Sequence, residues 1–552
     1  MPTKPLTRKE HFDDFAEYTS ALGIIFLKKA WHNYIWRTIW TLALISAWGV
    51  SIYQVVTIFQ KYFEYTTYTQ VKIQHTTEAT FPAVTVCNLN PVRKRFLYAN
   101  QQQFKELLSK IELAKMTMRA AEGMNQSGRA KRQVEIPEMF ENGTEHNFTA
   151  NQALNMMSKV SSDYISNIIL DQLYKSKLNQ LEAGHQIEEM LIECSFQGVL
   201  CSADNFSKWE SPLYSTCYTM FFSQTKKAFM GPNFGLKLIL YAQTDEYVNL
   251  VTPETGFRVV IHPPSYVPFP QDQGFSVTTG LVTSVAMKEL RIKRQPLPYD
   301  GTDCKTVMKD NSLYIYWQNI LDEYLPDVVA NHTTMACMKD CYLKYLEEEC
   351  NCFDPLVITY NQVKLSREPA EACDRLDHKT IDCIFKVTDS IVSKGICESQ
   401  CAQPCAEQSF VSRVTNSKWP NEEYFHTMIN VWKNRLNSVH IHLNPRNHAE
   451  ATGLLSKLEI YFEELNYESV EEIATMDVWD LLSNIGGVFG LWSGVCFLTF
   501  LEFFELGYKL MNASGGDERQ TSPQTTSTLS TSTNRKSVGE RNDFTDRFAC
   551  QR

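Results

Sequence analysis

The cysteines are the residues of this sequence whose type and spacing most directly suggest chemistry. There are sixteen, and fourteen of them lie between Cys87 and Cys405. Close neighbours such as Cys350 and Cys352 could ligate zinc, whereas an even, clustered set forms disulfides if the compartment is oxidising. The compartment therefore decides which chemistry these cysteines perform.

N-glycosylation sequons in the same part of the chain indicate an extracellular compartment. They begin at Asn125, Asn142, Asn147, Asn205 and Asn331. One sequon is a short pattern that often arises by chance, but five within one cysteine-rich region favour an extracellular domain. Disulfides are therefore a better explanation than zinc. We find no nucleophile, metal or phosphate motif that would indicate an enzyme or a cofactor.

Two apolar segments frame the cysteine-rich region and predict two membrane spans. Residues 39–60 contain no formally charged side chain, and a helix of that length crosses a hydrocarbon core of roughly 30 Å. Residues 481–506 are apolar except for Glu502 and Glu505 near the end of the segment. The alternative for the first segment is a helix buried in a soluble core.

Basic residues predict the orientation of the chain in the plasma membrane. Lys28, Lys29 and Arg37 precede the first segment, and loops rich in such residues stay in the cytoplasm. Two spans then return the C-terminus to the cytoplasmic side. The predicted organisation is a cytoplasmic N-terminus (1–38), a first transmembrane helix (39–60), an extracellular domain (61–480), a second transmembrane helix (481–506) and a cytoplasmic tail (507–552).

Glycines distinguish the second segment from a plain anchor. They are Gly486, Gly487, Gly490 and Gly494. Small residues let membrane helices approach closely, and carboxylates at membrane depth usually face water or a partner. The segment could therefore line a pore, or it could be a packing face with interfacial glutamates. A two-pass receptor or adhesion protein, which the segments only anchor, is the alternative of another class.

The region between the spans has the pattern of a mixed α+β domain. Strand-like or β-rich sequence covers 68–74, 81–91, 212–283 and 455–465, and helical periodicity covers 101–122, 153–174 and 339–349. The basic run Arg129–Arg132 could be cut by a furin-type protease or could be a solvated loop.

The remaining features concern charge and the tail. A net charge of −10 argues against a nucleic-acid partner. Ser and Thr dominate residues 521–537, which cannot build a core and are predicted to be disordered. Cys550 stands third from the end, which does not fit a prenylation motif.

The motifs together resemble the degenerin/epithelial sodium channels over nearly all of residues 12–508. The similar segments are FPAVTVCNLNP at 81–91, GLKLILY at 235–241, IHPP at 261–264, SKWP at 417–420, LEIYFEEL at 458–465 and LLSNIGGVFGLWSG at 481–494. The pattern is most similar to the invertebrate channels gated by FMRFamide-type neuropeptides.

The resemblance implies a fold and a disulfide pairing. The fold is two transmembrane helices with a hand-like ectodomain of palm, β-ball, knuckle, finger (about 97–190) and thumb with a cysteine ladder (about 304–405), assembled as a trimer in membrane lipid. The implied pairs are Cys87–Cys217, Cys194–Cys201, Cys304–Cys405, Cys337–Cys401, Cys341–Cys397, Cys350–Cys383 and Cys352–Cys373.

The resemblance also implies sodium selectivity, block by amiloride-like cations and a set of pore residues. Asp480 would form a carboxylate ring at the outer mouth, below Glu468, Glu471, Glu472 and Asp477. Gly494, Val495 and Cys496 would form the narrow section, and Glu502 and Glu505 would flank the inner vestibule. The family's cytoplasmic His-Gly gating motif stands here as Leu22-Gly23, and its Gly-x-Ser belt stands as Gly494-Val495-Cys496.

The residues at the start of the first strand bear on how the channel would be gated. Acid-sensing relatives carry a His pair there, but residues 64–69 carry Tyr and Thr instead. The predicted ligand is an extracellular amidated peptide, and the alternatives within the family are proton gating and constitutive conduction. A homotrimer is expected, with a heterotrimer as the alternative.

Overall fold

A computed structural model of the chain describes residues 8–19, 34–77, 79–102, 104, 179–222, 227–248, 252–299, 304–305, 311–364, 371–375, 377–437, 445 and 447–514. Several predictions lie outside these residues: the helix at 153–174 and most of that at 101–122, the run Arg129–Arg132, the sequons at Asn125, Asn142 and Asn147, the motif Leu22-Gly23, and the Ser/Thr-rich tail with Cys550.

Two compact units make up the chain. The first comprises Met1–Tyr68, Pro298–Asp300 and Ile473–Arg552, and the second comprises Thr69–Leu297 and Gly301–Glu472. The first contains both apolar segments, and the second contains all seven disulfides.

The described α-helices are Arg8–Tyr18, Tyr34–Phe63, Lys94–Ala99, Gln180–Ala183, Ile187–Met190, Pro270–Gln273, Ser312–Tyr324, Thr334–Cys350, Tyr360–Lys364, His378–Lys394, Ile396–Gln400, Glu422–Asn437, His448–Thr452, Val478–Ser493 and Phe497–Ser514.

The described strands are β1 (Thr67–Gln74), β2 (Ala79–Thr80), β3 (Ala83–Asn88), β4 (Leu191–Phe196), β5 (Val199–Leu200), β6 (Phe206–Ser211), β7 (Ser215–Met220), β8 (Lys227–Ala228), β9 (Leu236–Tyr241), β10 (Gly256–His262), β11 (Phe275–Thr278), β12 (Leu281–Lys293), β13 (Cys352–Phe353), β14 (Glu371–Ala372), β15 (Ala406–Lys418) and β16 (Leu455–Ala474).

Two sheets share the main apolar core of the second unit. A seven-stranded sheet has the order β15-β12-β16-β9-β4-β5, with β1 also paired to β16, and a five-stranded sheet has the order β11-β10-β3-β7-β6. Side chains from both sheets, such as Val84 and Val259 from one and Leu238 and Ile460 from the other, are buried in one cluster. Burial of this apolar surface is the main stabilising contribution to such a core.

Strand β16 is longer than the strand predicted over 455–465. Its first residues, Leu455–Ile460, pair with β9, and it continues in parallel with β12 past an irregularity between Met287 and Glu289. Residues 466–474 contain three glutamates, so their sequence lacks the apolar alternation of a half-buried strand. The second half of β16 is therefore stabilised by pairing with β12, which is distant in the sequence, and not by its own apolar pattern.

The cysteine ladder joins three helical segments. The ladder helix (Thr334–Cys350) begins at Thr333, whose side chain accepts a hydrogen bond from the Ala336 N–H, and ends at Asn351 in the left-handed region. The helix was predicted over 339–349, and the structure confirms it with longer bounds. Two of its cysteines, one turn apart, bond to two cysteines of the segment 396–401.

The seven disulfides of the structure are the same pairs that the family resemblance implies. They are Cys87–Cys217, Cys194–Cys201, Cys304–Cys405, Cys337–Cys401, Cys341–Cys397, Cys350–Cys383 and Cys352–Cys373. Fourteen cysteines therefore act as cross-links in this structure.

One described helix, Tyr34–Phe63, is by itself long and apolar enough to cross a membrane. It extends beyond the predicted 39–60 at both ends, because the polar residues that flank an apolar stretch can continue its helix. The second apolar segment is not the continuous helix predicted over 481–506. A first half-helix (Val478–Ser493) and a second half-helix (Phe497–Ser514) meet at a bend of 69° and pass the same test only as a pair.

Candidate pore segment

The break in the second apolar segment is built around Gly494. This residue has a φ of 68°, which is in the left-handed region that glycine adopts without steric cost. Its N–H donates to the Gly490 carbonyl at 3.2 Å, and the Val495 N–H donates to the Phe489 carbonyl at 3.3 Å. The first half-helix therefore ends with its last carbonyls partly satisfied, and the chain changes direction.

The second half-helix restarts at Cys496 with help from Thr499. The Cys496 backbone N–H donates to the Thr499 hydroxyl oxygen at 3.0 Å, and that hydroxyl lies 3.6 Å from the Cys496 sulfur. Satisfying an end N–H from a side chain three residues later is half of a capping box. Sequence reasoning missed Thr499; a hydroxyl residue five positions after the glycine that ends a helix is the signal that could have found it.

The segment Gly494-Val495-Cys496, predicted as the narrow section, is therefore the non-helical joint between two half-helices. Val495 is buried, and Cys496 is half-buried and retains its thiol. Because the joint is not helical, the backbone here has fewer intrahelical hydrogen bonds. Non-helical backbone at membrane depth is tolerated where it is buried in protein or lines a water-filled cavity.

Asp480 lies in the first turn of the first half-helix and has a structural contact. Its N–H donates to the Asp477 carboxylate at 2.7 Å, and the Asp477 N–H donates to the Asp480 carboxylate at 3.1 Å. This reciprocal capping box places two exposed negative charges at a helix N-terminus, where the helix dipole favours them. The orientation of the Asp480 carboxylate is thus set by the helix start.

The three glycines inside the first half-helix leave an open surface. A Cβ atom added at Gly486, Gly487 or Gly490 would have no described atom within 4 Å. Small residues on an uncovered helix face are where another membrane helix can approach closely. The face is therefore available to a pore lumen or to another copy of the chain.

The two glutamates of the second half-helix differ in their surroundings. Glu505 is exposed and forms an ion pair with Lys509 at 2.7 Å, one helical turn away. Glu502 is half-buried. The charge of the Glu505 carboxylate is therefore partly balanced by a neighbouring cation.

The acidic run before the second apolar segment is less uniformly charged than its sequence suggests. Glu471 lies 3.2 Å from Lys293 and 3.6 Å from Lys72, and the hydrogen bond from Lys293 lowers its pKa. The Glu472 carboxylate accepts the Gln295 N–H at 3.0 Å. Glu468 remains exposed. The long-range lysine contacts, invisible in the local sequence, reduce the cation attraction expected of Glu471.

A hydrogen bond joins the long apolar helix (Tyr34–Phe63) to the first half-helix. The Trp492 indole N–H donates to the Gln54 side-chain oxygen at 2.9 Å. The rings of Trp48 and Phe489 also lie 6.1 Å apart, centroid to centroid. Sequence reasoning missed Gln54, although an amide inside an otherwise apolar span is a signal of a polar contact.

Two of the predicted glycosylation sites lie within the described residues. Asn205 is exposed, and its side-chain oxygen accepts the Ser202 N–H at 2.9 Å. Asn331 is half-buried, and its amide nitrogen donates to the Ser265 hydroxyl at 3.3 Å. Attachment of a glycan, which remains a prediction at both, would leave the Asn205 contact in place and would compete with the Asn331 contact.

The described residues combine a domain cross-linked by seven disulfides with two apolar segments, the second of which is broken at a glycine. A family model described as the amiloride-sensitive sodium channel matches residues 15–506. The chain belongs to the amiloride-sensitive sodium channel family.

Individual relatives support the same class. The alpha subunit of the epithelial sodium channel of Xenopus laevis is 25% identical over 90% of this chain and 81% of its own length. The gamma subunit of Bos taurus is 25% identical over 85% of this chain and 77% of its own. The beta subunit of Homo sapiens is 28% identical over 59% of this chain and 48% of its own. These relatives are channel subunits and not enzymes, which supports a sodium channel and confirms the family resemblance.

A comparison with solved structures adds a weak likeness. A proton-activated chloride channel solved by cryo-EM aligns with 87% of this chain and 96% of its own, at 7% identity and a TM-score of 0.25. A likeness at that level carries no argument about fold or function.

Proposed function

We propose that this chain is a pore-forming subunit of an amiloride-sensitive, sodium-selective channel of the plasma membrane. The observation that carries the proposal is the joint at Gly494–Cys496 in a chain of this family. A plain membrane anchor needs a continuous helix, whereas a joint of small residues supplies backbone groups for an ion path. The receptor or adhesion alternative offers no reason for the joint.

The proposed topology has two spans, with both termini in the cytoplasm. The helix Tyr34–Phe63 is the first span, and the two half-helices together form the second. Basic residues before the first span support a cytoplasmic N-terminus, and the seven disulfides between the spans support an extracellular location for that region.

The proposed pore places three copies of the second span around one axis. Asp480 then forms a ring of carboxylates that attracts cations. Gly494, Val495 and Cys496 form the narrow section, and Glu502 and Glu505 lie on the inner side. The uncovered glycine face of the first half-helix supports close approach of the copies or of the ions.

Assembly is proposed as a trimer of this chain or of this chain with related subunits. The relatives bear the names of alpha, beta and gamma subunits. Subunits that share one fold can occupy equivalent positions in one ring, so heteromeric assembly is open to this chain. Expression of the chain alone decides between the two forms.

Gating by an extracellular amidated peptide remains the proposal for how the channel opens. Burial lowers the pKa of His185 to about 3 and that of His262 to about 4, so both histidines stay neutral across physiological pH and are poor proton sensors. The ladder helix is cross-linked to neighbouring segments by three of its cysteines. Such a braced unit can transmit a ligand-induced movement without deforming.

Voltage-clamp recording from cells that express this chain alone tests the proposal. We expect amidated RFamide-type peptides to evoke an inward sodium current that amiloride blocks. A current evoked by acid, or a current without any ligand, would support the proposed channel and would contradict gating by peptides. No current under any of these conditions, with the protein labelled at the cell surface and with related subunits supplied, would overturn the proposed function.

The Asp480 ring has its own test. Asp480→Asn removes the charge but keeps an oxygen that can accept the Asp477 N–H, so the helix start is retained. We expect a smaller inward current and weaker amiloride block than in the wild type. Asp477→Asn is the matched control, because it removes an exposed charge from the same capping box. Equal effects of the two variants on the current and on amiloride block would contradict a specific role of Asp480 in the pore.

A further inference from the structure

We propose that Gln54 is a positioning residue for the narrow section, and that it acts through Trp492. This inference rests on the proposed function, because it assumes that Gly494–Cys496 lies on the ion path. Gln54 lies in the first span, 438 residues before its partner, and does not line the narrow section itself.

The amide of Gln54 differs from the other polar groups of the first span. The hydroxyls of Thr38, Thr41 and Thr57 donate to carbonyls of their own helix, four residues earlier, at 2.8–2.9 Å. These three hydroxyls therefore form their hydrogen bonds within their own helix, and these bonds do not link it to another helix. The Gln54 side-chain oxygen instead accepts a hydrogen bond from a residue of a different helix. Polar side chains that bond between helices in a membrane add to association and fix orientation.

A second polar residue marks the same face of the first span. Ser51 precedes Gln54 by three positions and therefore lies beside it on the helix surface. It is fully buried, and its hydroxyl has no hydrogen-bond partner among the described residues. Trp48 continues this row by another three positions and contacts the ring of Phe489. The row of Trp48, Ser51 and Gln54 is thus the face that meets the first half-helix.

Trp492 belongs to a short unit of hydrogen bonds that ends at the joint. The Ser493 hydroxyl donates to the Phe489 carbonyl at 2.8 Å. The Gly494 and Val495 N–H groups donate to the carbonyls of Gly490 and Phe489. Residues 489–495 therefore move together, and a bond that holds Trp492 also holds the position of Gly494.

The consequence is a link between the first span and ion selectivity. A narrow section made of backbone and small side chains discriminates between ions through its dimensions and its oxygen positions. Loss of the Gln54 bond lets the end of the first half-helix shift while the Trp48–Phe489 contact keeps the two helices packed. We therefore expect altered selectivity in a channel that still assembles.

The test compares Gln54→Leu, Trp492→Phe and the double variant by the reversal potential in sodium and potassium. Each single variant is expected to lower the sodium-to-potassium permeability ratio about threefold, which corresponds to roughly 0.6 kcal/mol, the average for hydrogen bonds between membrane helices. The double variant should match the single variants, because all three lack the same bond. Thr57→Val is the matched control and should leave the ratio unchanged.

The outcomes separate this inference from the proposed function. Wild-type selectivity in Gln54→Leu and in Trp492→Phe, with both proteins at the surface, would overturn the inference but would not contradict the proposed channel function. Additive losses in the double variant would also overturn it, since the residues would then act independently. Absence of any current from the wild type, with the protein at the cell surface and with related subunits supplied, would overturn both.

Discussion

The thiol of Cys496 lies at the start of the second half-helix, where the Cys496 backbone N–H donates a hydrogen bond to the Thr499 hydroxyl. If this joint lines the open pore, a small cationic thiol reagent should reach Cys496 and reduce the current when it is applied together with the agonist. Cys496→Ser should conduct and resist the reagent, because serine is close in size and suits a helix start. The measurement is current before and after the reagent, in open and closed states. Protection of the wild type in every state would exclude Cys496 from the pore.

Glu210 shows how burial alone changes the behaviour of a carboxylate in the ectodomain. It is 2% exposed and accepts hydrogen bonds from the Thr359 hydroxyl at 2.9 Å and the Asn361 amide at 2.6 Å. Burial raises its pKa, and the two hydrogen bonds only partly oppose this. The folded chain therefore binds a proton at a pH where the unfolded chain does not.

The resulting pH dependence of stability has a definite sign. Because the folded pKa of Glu210 is raised, its contribution to the free energy of unfolding grows as the pH falls through that value and is lost as the pH rises. Glu210→Gln removes this contribution. We expect thermal unfolding from pH 7 downward to show a smaller acid stabilisation in Glu210→Gln than in the wild type. The exposed Glu468→Gln is the control, and identical pH profiles for wild type and Glu210→Gln would contradict the expectation.

Among the elements, the cysteine ladder depends on cross-links that close long loops. The Cys304–Cys405 bond spans 101 residues, of which the Cys337–Cys401 bond already closes 64, whereas Cys194–Cys201 spans 7. In the chain-entropy model the remaining ring of roughly 40 residues restricts the unfolded state by about 4 kcal/mol and the short loop by about 2 kcal/mol. We expect Cys304→Ala/Cys405→Ala to lower the unfolding free energy by more than Cys194→Ala/Cys201→Ala does. Equal losses, measured by denaturant unfolding under non-reducing conditions, would show that local packing outweighs loop length.

For the whole molecule, the expected assembly is three copies. The open face at Gly486, Gly487 and Gly490 has no described neighbour within the chain, and exposed side chains such as Leu491 and Phe497 surround it. Counting the photobleaching steps of labelled subunits at the cell surface should give three. Gly490→Leu should reduce the fraction of three-step complexes if copies meet at this face, whereas Thr57→Val should not. An unchanged distribution for Gly490→Leu would assign the face to lipid or to the lumen.

The local sequence was sufficient to predict the helices whose formation depends on the hydropathy and periodicity of neighbouring residues. The uncharged stretch at 39–60 predicted a helix, and the periodicity over 339–349 predicted the ladder helix, because hydropathy and period are properties of neighbouring residues. The disulfide pairs came from the family resemblance and not from spacing. The longer β16 was missed because its second half is held by pairing with β12 and not by apolar alternation.

The sequence by itself thus predicted two apolar segments, disulfides between them and the small-residue section at Gly494–Cys496. Only the tertiary structure decided that this section breaks the helix, that Lys72 and Lys293 meet Glu471, and that Gln54 meets Trp492. The partners in these pairs are far apart along the chain. Composition and periodicity report the preference of each segment, but which distant side chains become neighbours is set by the packing of all segments together.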